Sequence, residues 1–366
     1  VHPRRSRATP GLQKIAPDLA EDALRSPSLV IERSGLPFRA EGKNLVLGPG
    51  EYQLANSLIL SSGFGLVLQA GVHLKLGPGV SIVSRKPIQI IGTAAAPVAI
   101  TALDKDAPWG VLGVIAPGGK SVIRHARISG GSEAWVNGVF LSGQVAVHYG
   151  DLDMTNSIIS GARADDGLNV KYGRVDFKNN HFVNNSSDGF DGDWVTGKID
   201  RSLVAGNGGD GLDFSGPKVV VSNSRLERMG DKAVSSGEKS DILIWNSIIA
   251  RSNIGVASKD LSNTDVISSA FIENRTGYAA YRKKPVFGGG QGRIISSLFF
   301  GNGAAISTDK ESRIKLTGVG TARKLAAPGT EIEDERLGPV ASAYGLSGGK
   351  KPRFKGGDGF DKLFGK

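Results

Sequence analysis

The sequence of 366 residues contains no cysteine, and it has no apolar run of the length that a membrane helix needs. Without cysteine there are no disulfides and no thiolate metal sites, and the absence fits a protein of the cell envelope or exterior. A membrane span takes about 18 or more consecutive apolar residues, so we predict none. Residues 165–284 also lack any stretch of helical period as long as twelve residues. The middle of the chain is therefore expected to consist of strands and turns.

Glycine is abundant, at 52 residues, and the net charge is +10. A positive net charge attracts polyanions over a long range. Nucleic acid and an acidic polysaccharide are the two candidates, and we expect the polysaccharide. The basic excess lies near the two ends of the chain, where we expect solvated tails, whereas the central repeats are rich in acids.

A unit of about 22 residues repeats between 165 and 284. Its anchor is Asp-Gly-x-Asn/Asp, and the successive steps between anchors are 22, 22, 21, 23 and 22 residues. A fixed period of this size predicts a solenoid, and short apolar strands between Asn, Gly and Ser turns make it an all-β parallel β-helix. The six anchors begin at Asp166, Asp188, Asp210, Asp231, Ile254 and Thr276.

The rest of the chain is divided by the same pattern. We predict an N-terminal tail and cap over 1–40, the β-helix over 41–310, and a C-terminal cap with a basic, Gly-rich tail over 311–366. A short capping helix is expected over Ala16–Leu24. Asn137-Gly138 matches the anchor once more, but the next anchor follows 29 residues later. We therefore predict an insertion around 144–151 that forms a loop on the working face.

Four segments carry a family resemblance: DDGLNVKYG (165–173), GDGLDFSG (209–216), GDKAVSSGE (230–238) and AYRKKPVFGGG (280–290). In these segments the chain resembles the right-handed parallel β-helix proteins found with spore-coat-H-like (CotH-type) kinase domains in bacteria. The resemblance implies the pectate-lyase-like superfold, an extracytoplasmic protein of the bacterial envelope or exterior, and a kinase-like partner domain. It implies no particular activity.

Alternation along each strand predicts which side chains point outward. Counting from the anchor as zero, the third and fifth positions share the outer face. The third-position column is predicted to contain Asn169, Asp191, Asp213, Val234, Ala257 and Ala279. The fifth-position column is predicted to contain Lys171, Asp193, Ser215, Ser236, Lys259 and Tyr281.

Stacked strands lie about 4.8 Å apart, so acids one period apart become neighbours. Like charges this close raise each other's pKa or recruit a cation, and an oxygen-only ligand set suits Ca²⁺. The alternative is that the anchor acids form Asx-turns with the backbone. The candidate ligands are Asp166, Asn169, Asp188, Asp191, Asp210 and Asp213.

Acids, bases and aromatic residues flank these carboxylates. Lys171 is either a proton acceptor with a displaced pKa or the ion-pair partner of Asp193. The candidate catalytic residues are Lys171, Asp191, Asp193, Asp213, Arg282 and His148. The candidate substrate-binding residues are Tyr172, Trp194, Ser215, Glu238, Lys259 and Tyr281.

Three functions fit this pattern. The first is a lyase or C5-epimerase acting on an acidic polysaccharide, which needs a base for the proton beside a uronate carboxylate. The second is a glycoside hydrolase with paired aspartates such as Asp191 and Asp213. The third is a non-catalytic scaffold that binds glycan.

Overall fold

A computed structural model describes residues 24–322 as one stack of coils. The strands of the coils pair in parallel with the strand one coil further on, and the register between neighbouring coils is 22 residues at Asp166↔Asp188 and Thr196↔Lys218. Two pairs are antiparallel, Arg39–Glu41 with Asn44–Leu47 and a hairpin over 134–141. The predicted parallel β-helix is confirmed. Most of the predicted helix over 16–24, and the tail after 322, lie outside the described residues. The one described helix is α1 (Pro27–Ser34), which packs beside the first coils.

Three sheets run the length of the stack. Sheet 1 contains β4 (Leu58–Leu60), β7 (Ile82–Ser84), β10 (Leu112–Ile115), β15 (Gly143–His148), β18 (Asp166–Lys171), β21 (Asp188–Asp193), β24 (Leu212–Ser215), β27 (Lys232–Gly237), β30 (Ile254–Lys259), β33 (Thr276–Tyr281) and β36 (Ala304–Thr308). Sheet 2 contains β1 (Arg39–Glu41), β2 (Asn44–Leu47), β5 (Gly65–Gln69), β8 (Ile88–Ile91), β11 (Lys120–Arg124), β16 (Asp151–Thr155), β19 (Arg174–Lys178), β22 (Thr196–Asp200), β25 (Lys218–Ser222), β28 (Asp241–Trp245), β31 (Asn263–Ile267), β34 (Gln291–Ile295) and β37 (Arg313–Thr317). Sheet 3 contains β3 (Gly50–Leu54), β6 (Val72–Leu76), β9 (Val98–Ala102), β12 (Ala126–Ser129), β17 (Ile158–Ser160), β20 (His181–Val183), β23 (Leu203–Ala205), β26 (Arg225–Glu227), β29 (Ile248–Ala250), β32 (Ala270–Ile272), β35 (Leu298–Phe300) and β38 (Gly320–Ala322).

The stack thus continues to Ala322, past the boundary at 310 that the sequence suggested. A two-stranded hairpin, β13 (Ala134–Val136) and β14 (Val139–Leu141), interrupts the coil before β15.

Along each strand, alternate side chains point inward, and these side chains fill the inside of the stack. In the central coils it contains touching aromatic rings, for example Phe177 against Phe190 with ring centroids 5.2 Å apart. A buried polar ladder runs beside this core. The Ser157 amide donates to Asn180 Oδ1 at 3.0 Å, and the Asn180 amide donates to Ser202 Oγ at 3.3 Å. Each coil thereby satisfies a buried amide of its neighbour, as buried polar groups require.

The anchor column keeps a strict step of 22 residues, which corrects one sequence prediction. Lys232, rather than Asp231, continues the column of Asp188 and Asp210, because Lys232 pairs with Ile254 and Val234 with Val256. Val234 consequently points inward, and Ser235 takes the third position. The fifth position belongs to Gly237 rather than Ser236. A slip of one residue exchanges the two faces of a strand, which is why both assignments failed together.

The predicted insertion was also placed wrongly. Residues 143–148 are not a loop but strand β15, in register with β18. The additional residues form the hairpin of β13 and β14, whose turn is Asn137-Gly138 with φ of 48° and 77°. Asn-Gly with two positive φ values is the usual type I′ hairpin turn, so this motif is a turn and not an anchor.

Candidate active site on the outer face of sheet 1

Three outward columns meet on the outer face of sheet 1 between β15 and β33. They are the anchor column, the third-position column and the fifth-position column. In the order of the coils, the anchor column is Asp166, Asp188, Asp210, Lys232, Ile254 and Thr276. The third-position column is Ala146, Asn169, Asp191, Asp213, Ser235, Ala257 and Ala279. The fifth-position column is His148, Lys171, Asp193, Ser215, Gly237, Lys259 and Tyr281.

The carboxylates form a crowded, mostly buried group with raised pKa values. Burial, together with the charges of Asp210 and Asp213, raises the pKa of Asp188 to about 8. Burial, together with Asp193 and Asp213, raises the pKa of Asp191 well above its usual value. Asp166 is almost fully buried, and its pKa is raised in the same direction by burial and by Asp191. At neutral pH the carboxyl of Asp188 is therefore mostly protonated.

Lys232 neutralises the C-terminal end of the anchor column. Its Nζ lies 3.1 Å and 3.3 Å from the two oxygens of Asp210 and 2.5 Å from Asp231 Oδ2. Burial alone would lower the pKa of Lys232, but the two acids raise it strongly. Lys232 was not predicted from the sequence, because the neighbouring Asp231 resembles an anchor residue more closely.

Lys171 and Asp193 form the ion pair that the sequence offered as one alternative, with Nζ and Oδ2 2.9 Å apart. Burial would lower the pKa of Lys171, but its hydrogen bond and charge interaction with Asp193 outweigh burial and raise it. A raised pKa leaves Lys171 a fixed positive charge and a poor proton acceptor.

His148 begins a hydrogen-bonded chain that ends at a carboxylate. Its Nε2 lies 2.9 Å from Asn169 Oδ1, and Asn169 Nδ2 donates to Asp191 Oδ2 at 2.8 Å. Burial lowers the pKa of His148, so the ring is neutral at neutral pH. His148 and Asn169 are both buried, and the hydrogen bond from Asn169 fixes the orientation of the Asp191 carboxyl group.

Lys259 differs from the other lysines of this face because burial lowers its pKa. Its side chain lies over Gly237, with Cε 3.6 Å from the place a Cβ would occupy, and its Nζ donates to Ser235 Oγ at 2.7 Å. Lys259 thus reaches back one coil, toward Asp213. Asp213 raises the pKa of Lys259, but by less than burial lowers it.

Of the predicted residues near the C-terminal end of the face, Tyr281 and Glu238 remain on it, where Glu238 is hydrogen-bonded to Ser215, and Arg282 points away. Tyr281 follows Lys259 in the fifth-position column, and burial raises its pKa to about 12. Arg282 points to the next coil and pairs with Glu311 at 2.9 Å. Glu238 forms an ion pair with Lys284, which returns from the loop after β33. The structure thus places Arg282 beside Glu311 rather than among the carboxylates.

Aromatic side chains form one rim of the face. Tyr149, Tyr172 and Trp194 each follow a strand of sheet 1 in a left-handed backbone conformation, with φ between 49° and 57°. Their rings stack with centroids 4.9 Å and 5.0 Å apart and nearly parallel planes. Because Tyr172 is covered on both faces by its neighbours, it presents only ring edges, whereas Trp194 has a single stacked neighbour in this ladder. Tyr149 is a member that the sequence analysis had not assigned.

Three carboxylates lie close enough to share a cation: oxygens of Asp188, Asp210 and Asp213 are within 4.8 Å of one another. Asp210 is already compensated by Lys232, so the oxygens that fit Ca²⁺ best are those of Asp188 and Asp213. Of the other predicted ligands, Asp166 accepts a hydrogen bond from Ser142 Oγ at 2.6 Å, and Asn169 is engaged by His148 and Asp191.

The fold agrees with that of known polysaccharide-modifying enzymes. No family model and no curated protein matches the chain. The A-module of the mannuronan C-5 epimerase AlgE4 from Azotobacter vinelandii matches with a TM-score of 0.54 at 12% identity, over 84% of this chain and 95% of the module. A variant of the periplasmic alginate epimerase AlgG matches with a TM-score of 0.51 at 13% identity, over 82% and 84%. The pectate lyase Pel9A is a more distant match, with a TM-score of 0.38 at 14% identity, over 70% and 68%.

At such identities the likeness concerns the fold alone: this chain is a parallel β-helix, and the pectate-lyase-like superfold stays a prediction of the sequence resemblance. The resemblance to the CotH-associated family stays a prediction. Among residues 24–322, no helix is long and apolar enough to cross a membrane.

Proposed function

We propose that this protein acts on an acidic polysaccharide, by β-elimination or C5-epimerisation, on the outer face of sheet 1. The observation that carries the proposal is a contrast in pKa along one face, between two carboxyls of β21 and an amine of β30 that reaches back toward Asp213. The carboxyls of Asp188 and Asp191 have raised pKa values, whereas the amine of Lys259 has a lowered one. Pairs of groups shifted in this way are typical of acid–base catalysis near neutral pH.

Both reactions begin with removal of the proton on C5 of a uronate. Lys259 is the proposed proton acceptor, since its lowered pKa increases the fraction of free amine. Asp191, whose pKa is raised by burial and by neighbouring acids, is the proposed hydrogen-bond donor to the sugar carboxylate, where negative charge grows as the C5 proton leaves. The same acid can protonate the leaving oxygen in elimination, or Tyr281 can return a proton to C5 in epimerisation.

The other predicted residues then bind or position the substrate. Lys171 remains a fixed cation at the N-terminal side of the site, and the chain from His148 through Asn169 orients Asp191. Ca²⁺ held by Asp188 and Asp213 would supply positive charge for the uronate carboxylate.

A glycoside hydrolase is the second candidate, favoured by one observation. Asp191 and Asp213 pair on neighbouring strands, and burial raises the pKa of Asp191. Strands about 4.8 Å apart would bring two carboxyls close to the separation of a retaining enzyme.

An extracytoplasmic location is part of the proposal. The AlgG relative is described as periplasmic, and acidic polysaccharides are found outside the cytoplasm. A kinase-like partner domain is an expectation of the sequence resemblance alone.

The test uses purified protein and a panel of polyuronates, with Ca²⁺ or with a chelator. Absorbance of an unsaturated uronate identifies elimination, and NMR of the C5 configuration identifies epimerisation. Reducing ends without that absorbance would favour hydrolysis, and affinity without any product would favour a binding scaffold. Lys239→Ala, an exposed lysine of the same coil as Gly237, is the matched control for Lys259→Ala.

A further inference from the structure

The hairpin of β13 and β14 lies on the outer face of the first strands of sheet 1. Its inward residues Ala134, Val136 and Leu141 are buried against Ile59 and Val83 of those strands. Ile59 and Val83 occupy the same column that later carries Asp191 and Asp213. The hairpin thus covers the part of this column that precedes Asn169 in the stack, and the carboxylates of Asp191 and Asp213 follow Asn169.

The cover leaves no space for a ligand. A Cβ on Gly113, which lies between Val83 and Ala146 in this column, would come within 2.6 Å of Leu141 Cδ1. The Leu141 side chain therefore packs directly against Gly113, and the hairpin forms a second layer on this part of the sheet.

Hydrogen bonds fix the base of the hairpin to the next coil. Ser132 Oγ donates to the Arg163 carbonyl at 2.9 Å, and Glu133 Oε2 accepts the Asp165 amide at 3.0 Å. At the other end Ser142 Oγ donates to Asp166 Oδ2 at 2.6 Å. Contacts at both ends make the hairpin a fixed wall and not a mobile lid.

The exposed floor is short on its other side as well. Between β18 and β33, only Asp191 and Asp213 of the third-position column reach solvent, because its other members are buried. The next exposed member is Ser307 of β36, so the accessible stretch that adjoins the hairpin spans two strands, β21 and β24.

We propose that the hairpin closes the N-terminal end of the site, so that the protein binds the terminus of an acidic polysaccharide and not its interior. The inference rests on the proposed function for the class of ligand. A chain running along the stack from β33 toward β15 meets the hairpin at Asn169, and its last sugar occupies the floor at Asp191 and Asp213.

The test is the binding stoichiometry on polyuronate fractions of defined length, measured by analytical ultracentrifugation with the wild type and with Lys259→Ala. Recognition of a chain end gives one protein per chain at every length. A ratio that rises with chain length overturns the inference. A shortened variant, in which a two-residue turn replaces 133–141 and Ile59 and Val83 become serine, is expected to bind several copies per long chain.

Trp135→Ala with Phe140→Ala is the matched control. This exposed pair lies on the outer side of the same hairpin, with ring centroids 5.1 Å apart. Its loss should leave the ratio at one. Product formation with many proteins bound per chain would overturn this inference and leave the proposed function standing. One protein per chain without any product would support this inference and overturn the proposed function. Absence of binding to every polyuronate overturns both.

Discussion

The outer face of sheet 1 has two halves with the same backbone and opposite chemistry. From β4 to β15 its central column is Ile59, Val83, Gly113 and Ala146, and it lies under the hairpin. From β18 to β24 the same column is Asn169, Asp191 and Asp213, and much of it reaches solvent. Burying an unpaired charge is costly, so the cover and the carboxylates exclude each other along one column. The comparison teaches that the fold supplies the columns, while what lies over each position decides which chemistry it can carry.

Among these tests, removal of the proposed base should have the largest effect, because it changes the reaction rate directly. Lys259→Ala is expected to lower the rate of proton abstraction by about 10²–10⁴-fold, the usual contribution of a general base. Initial rates of product formation measure it. A rate equal to that of Lys239→Ala would show that the charged half does not depend on this amine.

The covered half should respond through stability. Leu141→Ala removes a fully buried side chain from the contact between hairpin and sheet, and it should cost about 2–5 kcal/mol of unfolding free energy. Phe140→Ala, next to it on the exposed side, should change stability by less than about 1 kcal/mol. Urea denaturation compares the two. Equal losses would contradict the inward and outward assignment of the hairpin.

The charged half should make stability depend on pH. The pKa of Asp188 is about 8 in the folded protein, above its usual value near 4, so the folded state binds more protons than the unfolded state between these values. Stability contributed by this proton is therefore complete below about pH 4 and is lost as pH rises through 8. Thermal unfolding between pH 5 and 9 should show a melting temperature that falls with pH, and Asp188→Asn should make that dependence flatter.

If Asp188 and Asp213 bind Ca²⁺, added Ca²⁺ should restore the melting temperature at pH 9. A melting temperature that falls more steeply with pH when Ca²⁺ is present would contradict that site.

The aromatic rim should give the smallest effect. A double-mutant cycle on Tyr172 and Trp194, both changed to alanine, should give a coupling free energy of about 0.5–1.5 kcal/mol, the usual value for a stacked pair. Tyr149 and Trp194, which do not touch across Tyr172, serve as the reference pair. Equal coupling in both pairs would mean that the ladder responds as one unit.

The repeat could be predicted from sequence because hydrophobic alternation and a constant period depend on neighbouring residues alone. Asp166, Asp188 and Asp210 were placed in one column on that basis, and the structure confirms the column. The assignment of Asp231 to this column was wrong. Asp231 resembles an anchor by residue type, but the register is decided by which side chains face the core. Holding the step at 22 residues would have placed Lys232 there and Val234 inside.

Other parts of the site depend on contacts that no local pattern records. The Asn137-Gly138 turn was visible in the sequence, but its strands cover Val83 and Gly113 only after the chain has folded. The raised pKa of Lys171 and the lowered pKa of Lys259 follow from different surroundings of the same residue type. Spacing alone could not have separated their roles.

The Ser and Asn ladder inside the stack has a consequence for how such a site can change in evolution. Each of these side chains bonds to the coil beside it, as Asn180 does to Ser157 and Ser202 to Asn180. Energetic dependence is therefore confined to nearest neighbours, as in other repeat proteins. Gain or loss of one whole coil between the hairpin and Lys259 would move the base relative to the wall by one strand spacing, about 4.8 Å, without disturbing either. The distance between the hairpin and the proposed base can therefore change only in steps of one coil.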